Sequence, residues 1–272
     1  MTIDSFLSRL PSVIALEQRL ALEAIGYALD LICLAYRRML AQLRAVSPIS
    51  DESISRSLLV LIFADAWLIV DQAHMLRSLL RSIEPKISTP TIREFISTFE
   101  NATFLRNEMD HLHQNINNIS KSKKVLPPIY GAVSFARLHG ADHNLEITRA
   151  TDIRGAYLVT LTAGSFSKDN HRLHCANPIG KSVEIPVGHV QFNAFEHVIN
   201  FSELNAAVEG LRALFDGEIR ADIETKVREA AVAAGISPEE ALRARTADLV
   251  VTMVIDFSEE HTNDKDPSGW QG

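Results

Sequence analysis

Between Leu105 and Asn118 the chain reads LRNEMDHLHQNINN, and the residue types gathered there suit phosphodiester chemistry. Arg106 is a permanent cation that can hold a phosphoryl oxygen or the charge developing on it. His111 and His113 can move a proton near neutral pH. At about 100° per residue, Arg106, Asp110, His113 and Asn117 fall on one line of a helix, flanked by Asn107 and Gln114. His113 stands about 20° round from Arg106 and His111 about 140°, so a straight helix favours His113. His111 would then need a second subunit to share a site. The plain alternative is a solvated helix face, with Arg106 and Asp110 as a surface pair four residues apart.

The elements expected to carry these residues are helices. From Ser12 to Leu43 the apolar residues Val13, Leu16, Leu20, Ile25, Leu29, Ile32, Leu40 and Leu43 recur at helical spacing. Pro48 ends that run, and Ser50 is placed to cap a second helix reaching Ile83. Its run Leu58–Val70 is too short for a bilayer and contains Asp65, which reads as a buried core helix. A third helix is expected from Pro90, capped by Thr89 or Thr91, to about Ser120, with Lys121 and its basic neighbours at its C-terminal end. Its apolar face shifts partway, from Ile92, Phe95, Ile96 and Phe99 to Leu105, Met109, Leu112, Ile116 and Ile119. The polar row from Arg106 thus continues a line that began as a buried face, which argues for a covering partner.

Pro127-Pro128 marks a change of architecture. Strand character follows in Ile129–Arg137, Leu145–Thr148, Ala156–Thr162 and Val183–Val187. Helices return from Ser202, split near Asp216-Gly217, and a short one opens at Ser237-Pro238. Leu249–Phe257 reads as a final strand. The expected fold is α+β: an all-α helical bundle over 1–125, an α+β region with a small antiparallel sheet and C-terminal helices over 126–257, and a disordered tail over 258–272.

The stretch FLRNEMDHLH resembles the HEPN superfamily of helical bundles. Its signature is an arginine, a polar residue after it, and a histidine following four to six intervening positions. Arg106 and Asn107 match the start, and either His111 or His113 completes the motif. Over residues 12–120 the resemblance implies a metal-independent ribonuclease of the toxin or phage-defence kind, with two copies of the motif meeting across a homodimer. It implies Arg106 on the scissile phosphate, a histidine as general acid/base, and Asn107 positioning it, with Asp110 and Asn117 in support. The alternative is a non-catalytic HEPN-like module binding nucleotide, RNA or a protein. One branch of the superfamily is modified at a tyrosine two positions after the histidine. His113 occupies that position relative to His111, so such regulation is not expected. The same spacing recurs at Arg137…His143, on a segment with strand and turn character.

Charge is uneven. Residues 1–125 carry 14 Lys and Arg against 13 Asp and Glu, and residues 126–272 carry 13 against 21. The acidic second half suits a protein partner, such as an antitoxin, better than RNA. Cys33 and Cys175 make no disulfide framework, and no leader is visible, so a cytoplasmic chain without membrane attachment is expected. No cofactor and no metal are expected. Histidines two apart on a helix point to different sides, and His171, His174 and Cys175 lack a partner cluster. His74 reads as a hydrogen-bonded core residue.

Overall fold

The computed structural model describes residues 5–11, 13–46, 54–84, 87–121, 128–138, 156–164 and 189–243. Its architecture is α+β: an N-terminal helical region, a small antiparallel sheet and C-terminal helices.

Two long helices, α1 (Leu16–Arg44) and α2 (Arg56–Ile83), form an antiparallel pair, and their facing apolar stripes make the centre of the bundle. The cap of α2 is Ser55, whose hydroxyl accepts from the Leu58 N–H, rather than Ser50. By length and composition α2 is apolar enough to cross a membrane. Yet its Asp65 and Arg77 are both buried, each held by partners from a neighbouring helix. Asp65 binds Arg38 and accepts from Gln42 at 3.2 Å, which cross-links α1 to α2.

The single helix expected from Pro90 to Ser120 is three: α3 (Pro90–Thr98), α4 (Glu100–Asp110) and α5 (Leu112–Lys121). Thr89 caps α3 at the Ile92 N–H. The first break, at Phe99, keeps Phe95 and Phe99 in ring contact at 4.9 Å while α4 turns onto α2. The second break falls at His111.

After the helices come β1 (Ala132–Leu138), β2 (Ala156–Thr162), β3 (Val190–Ala194) and β4 (His197–Asn200), ordered β2-β1-β3-β4 and antiparallel throughout. The strand expected at Ile129 begins at Ala132, because residues 128–131 form a turn. The strands expected at 145–148, 183–187 and 249–257 lie outside the described residues. Val133, Phe135, Leu161, Val190, Phe192 and Ile199 share the inner face, and their core is continuous with that of the helices. Phe192 meets Trp67 edge-on at 5.2 Å and stacks on Phe201 at 5.5 Å. Gly131, entering β1, has φ of 92°, and a Cβ there would lie 2.7 Å from the Phe192 ring and 2.9 Å from the Asn193 carbonyl oxygen. Gly131→Ala therefore combines left-handed strain with a clash, and thermal unfolding should show a loss of roughly 3 kcal/mol.

β4 runs directly into α6 (Phe201–Leu214), whose first N–H groups are capped by Asn200. The expected split at Asp216-Gly217 is instead a π-helical turn, Phe215–Ile219, leading without interruption into α7 (Arg220–Ala233). Asp216 there accepts from the Ser5 hydroxyl and the Phe6 N–H, so the turn tethers the N-terminal segment. The short α8 (Pro238–Leu242) starts after Ser237, as its Ser-Pro pair implies. The Ser237 hydroxyl, however, donates to Glu239 rather than capping the helix.

Cys33 is buried between α1 and α6, its Sγ–H donating to Glu209 at 3.3 Å. Burial, reinforced by that hydrogen bond, pushes the thiol pKa up to about 11. In a Cys175→Ser background, native protein at pH 8 should therefore react slowly with a thiol reagent and the denatured chain quickly. The unfolded thiol ionises first as pH rises above its ordinary range, so Cys33 stabilises the fold at neutral pH. That contribution fades on the way to about pH 11.

Candidate functional site

Arg106 stands near the C-terminal end of α4, where that helix packs along α2. The seam between the two helices is polar. Asp71, His74 and Arg77 on α2 face Arg106, Thr103 and Glu100 on α4, with the residue numbers falling on one side as they rise on the other. Such a pattern requires antiparallel neighbours. His74 Nδ1 lies 3.2 Å from the Thr103 hydroxyl, so the expected hydrogen bond is present, but the residue is half-buried in the seam rather than part of the core. The Arg77 guanidinium donates to the Ile96 carbonyl at 2.7 Å, to Thr103 at 3.0 Å and to Glu100 at 3.1 Å. Arg77 and Thr103 went unnoticed in the sequence because nothing in their spacing separates them from ordinary core and surface positions.

The Arg106 side chain is 35% exposed and clamped by two carboxylates. Its Nε is 2.6 Å from Asp71 Oδ1, and its Nη1 donates to Asp110. The Arg106–Asp110 pairing read from the four-residue spacing is present, and Asp71 adds a partner from another helix. Two of the five guanidinium donors are thereby occupied, which fixes the plane of the group and leaves the rest for a ligand. The same carboxylates also leave the immediate surroundings of Arg106 net negative.

Asn107, His111, His113 and Asn117 are all exposed. The polar row is thus uncovered in the single chain, and the breaks at Phe99 and His111 mean that it does not continue the buried line of Ile92, Phe95 and Phe99. Of the apolar stripe on the other side, Leu105 is buried, Met109 and Leu112 are half-buried and Ile116 is exposed. His111 closes the same helix that carries Arg106, its N–H still donating to the Asn107 carbonyl at 3.1 Å. Its φ of −100° and ψ of 18° end α4, while its own carbonyl accepts from Gln114 and Asn115 to start the next turn. Asn115 in α5 donates to Glu108 Oε2 in α4 at 2.7 Å, a bond that spans the break and sets the angle between the helices. The divergence of about 140° between Arg106 and His111 therefore stands, because α4 is regular up to His111. The alignment expected of His113 does not hold, since His113 lies in α5, beyond the break. The second copy of the spacing is split: Arg137 lies on β1, and His143 is outside the described residues.

Among the described residues no group of three or more His, Cys, Asp or Glu is arranged to hold a metal ion. Comparison with protein-family models, with characterised proteins and with solved structures finds no match to this chain.

Proposed function

We propose that this chain is a metal-independent endoribonuclease of HEPN type, toxin or phage-defence related, acting in the cytoplasm as a homodimer with a composite active site. The observation that carries the reading is that Asn107, His111 and His113 are open to solvent within two turns of an arginine whose guanidinium is already oriented by Asp71 and Asp110. In the reaction, a histidine takes the proton of the ribose 2′-hydroxyl as its oxygen attacks phosphorus. The leaving 5′-oxygen receives a proton from a second acid, and Arg106 stabilises the charge on the phosphoryl oxygens between these events. Two histidines are needed, one as base and one as acid, which a pair of motifs supplies. Asn107 positions the histidine, and Asn117 lies further along the same row.

A second reading is favoured by the two carboxylates on Arg106: a non-catalytic HEPN-like module that binds a protein, nucleotide or RNA. Asp71 discriminates between them. In a nuclease its charge competes with the substrate phosphate, so Asp71→Asn should lower KM for a labelled RNA several-fold in buffer containing EDTA, with kcat little changed. A module without catalysis gives no cleavage in either protein. The acidic half, residues 126–272, is the natural docking region for an antitoxin or other protein partner.

A further inference from the structure

Phe104, midway along α4, leaves 43% of its surface exposed. Its neighbours on that side of the helix are polar: Asn101, Asn107, Glu108 and His111 stand three, four or seven residues from it. One face of the ring is already taken. The His197 imidazole, on β4, lies 5.1 Å from it between ring centroids and 17° from parallel, a stacked pair. His197 is half-buried, and β4 is held against α4 by Asn101, whose side-chain amide donates to the Val198 carbonyl at 2.9 Å. The imidazole therefore fixes the plane of the Phe104 ring from beneath, and the exposure belongs to the ring's other face and its edge.

A flat ring held open to solvent in a fixed plane is what an unpaired base requires, because unstacked bases bury their faces on aromatic side chains. The geometry points to Phe104, backed by His197, as a stacking subsite for one unpaired base of a single-stranded RNA. A protein anchor would bring apolar neighbours to share its burial. Here Asn107 and Glu108 offer an amide and a carboxylate, which suit the polar edge of a base instead. Glu108 also keeps the phosphates off the ring. Its Oε2 accepts from Asn115 at 2.7 Å, and its negative charge repels the backbone, so the base is the part of a strand that fits here. α4 is regular as far as His111, which places Phe104 and His111 within about 20° of one line and about 10 Å apart along the axis. A base on the ring leaves its sugar and phosphate to run past Asn107 towards that imidazole. His111, rather than His113, is then the histidine beside the stacked nucleotide. This last placement rests on the nuclease reading; the stacking does not.

The test is binding rather than cleavage, read by fluorescence anisotropy in EDTA. The probe is a fluorescein-labelled single strand of 2′-O-methyl RNA, whose blocked 2′-oxygen cannot attack phosphorus, and the control is an abasic strand of the same length and charge. The wild type should bind the base-bearing strand at least about 5-fold more tightly than the abasic one, a comparison that needs no variant. Phe104→Leu keeps an apolar side chain over His197 but no aromatic face. It should lose roughly 5- to 150-fold for the base-bearing strand and nothing for the abasic one, with an unchanged far-ultraviolet circular dichroism spectrum. Phe104→Trp should bind at least as tightly as the wild type. His197→Ala should lose part of the affinity, and His197→Phe, which returns a flat ring beneath Phe104, should recover it. Equal affinity for the two strands, affinity for neither, or a folded Phe104→Leu protein that binds the base-bearing strand like the wild type overturns the subsite. The nuclease reading stands or falls separately. Binding that depends on bases and on Phe104, in a protein that cuts no unmodified RNA, keeps the subsite and sinks the enzyme. Cleavage with an unchanged KM in Phe104→Leu keeps the enzyme and sinks the subsite.

Discussion

Arg106→Ala is expected to lower kcat/KM for RNA cleavage by at least about 10²–10³-fold, the usual loss when a donor to a developing oxyanion is removed. The fold should be nearly indifferent to the change. Asp71 and Asp110 are each more than two-fifths exposed, and pairs of that kind contribute about 0–1 kcal/mol. Removing the guanidinium leaves the two carboxylates in reach of water rather than stranded. Steady-state cleavage together with a melting curve tests both halves: activity should collapse while Tm moves by no more than a few degrees. An Arg106→Lys variant should recover little, because an ammonium cannot keep the Asp71 and Asp110 contacts and still present a planar pair of donors to phosphate.

An effect on stability as large as that of Gly131→Ala is expected at Arg77. Its side chain is 4% exposed and satisfies three acceptors on two different helices. One of them, the Ile96 carbonyl, lies just before the α3–α4 break, where the regular helical ladder is interrupted and a substitute donor is needed. Burial pulls the Arg77 pKa down, with Arg81 adding to that pull and Glu100 opposing it. Arg77→Ala leaves the Ile96 carbonyl unsatisfied and opens a cavity between α2 and α4, a loss of roughly 3 kcal/mol. At about 2–4 °C per kcal/mol for a chain of this size, calorimetry should show Tm lower by roughly 10 °C. Because Arg77 sits further along the same α2 face as Asp71, the loosened seam should also weaken RNA cleavage, through the placement of α4 rather than through any contact with substrate.

The helical half was readable because its signals are local. Period, Thr89 and the proline at Pro90 place α3, and the apolar period places α1 and α2. The breaks at Phe99 and His111 carry no glycine or proline, so no local signal marks them. They arise from packing, as Phe95, Phe99 and Leu105 all reach the core, and from cross-break bonds such as Asn115 to Glu108. The hairpin β3–β4 was missed for a similar reason. Its turn is Phe195-Glu196, with Phe195 at φ of 54°, where asparagine or glycine is the usual signal. The Phe195 ring is buried against Trp67, and that burial offsets the backbone strain. Around Arg106, the four-residue spacing alone was enough to anticipate its pairing with Asp110. Asp71 lies 35 residues away and could be found only once α2 and α4 were known to be neighbours. Leu16 and Leu20 share the helical spacing of Ile25 and Leu29 but are 59% and 54% exposed, because spacing alone does not say which residues the neighbouring elements cover.

In the proposed reaction, Arg106, His111 and His113 cut RNA without a metal. Incubating labelled single-stranded RNA with the purified protein in EDTA, alongside Arg106→Ala and the double variant His111→Ala/His113→Ala, should give cleavage by the wild type and none by either variant, with all three proteins folded. Full activity in the double histidine variant, or a folded wild type that leaves a broad panel of RNAs intact, would contradict the proposal.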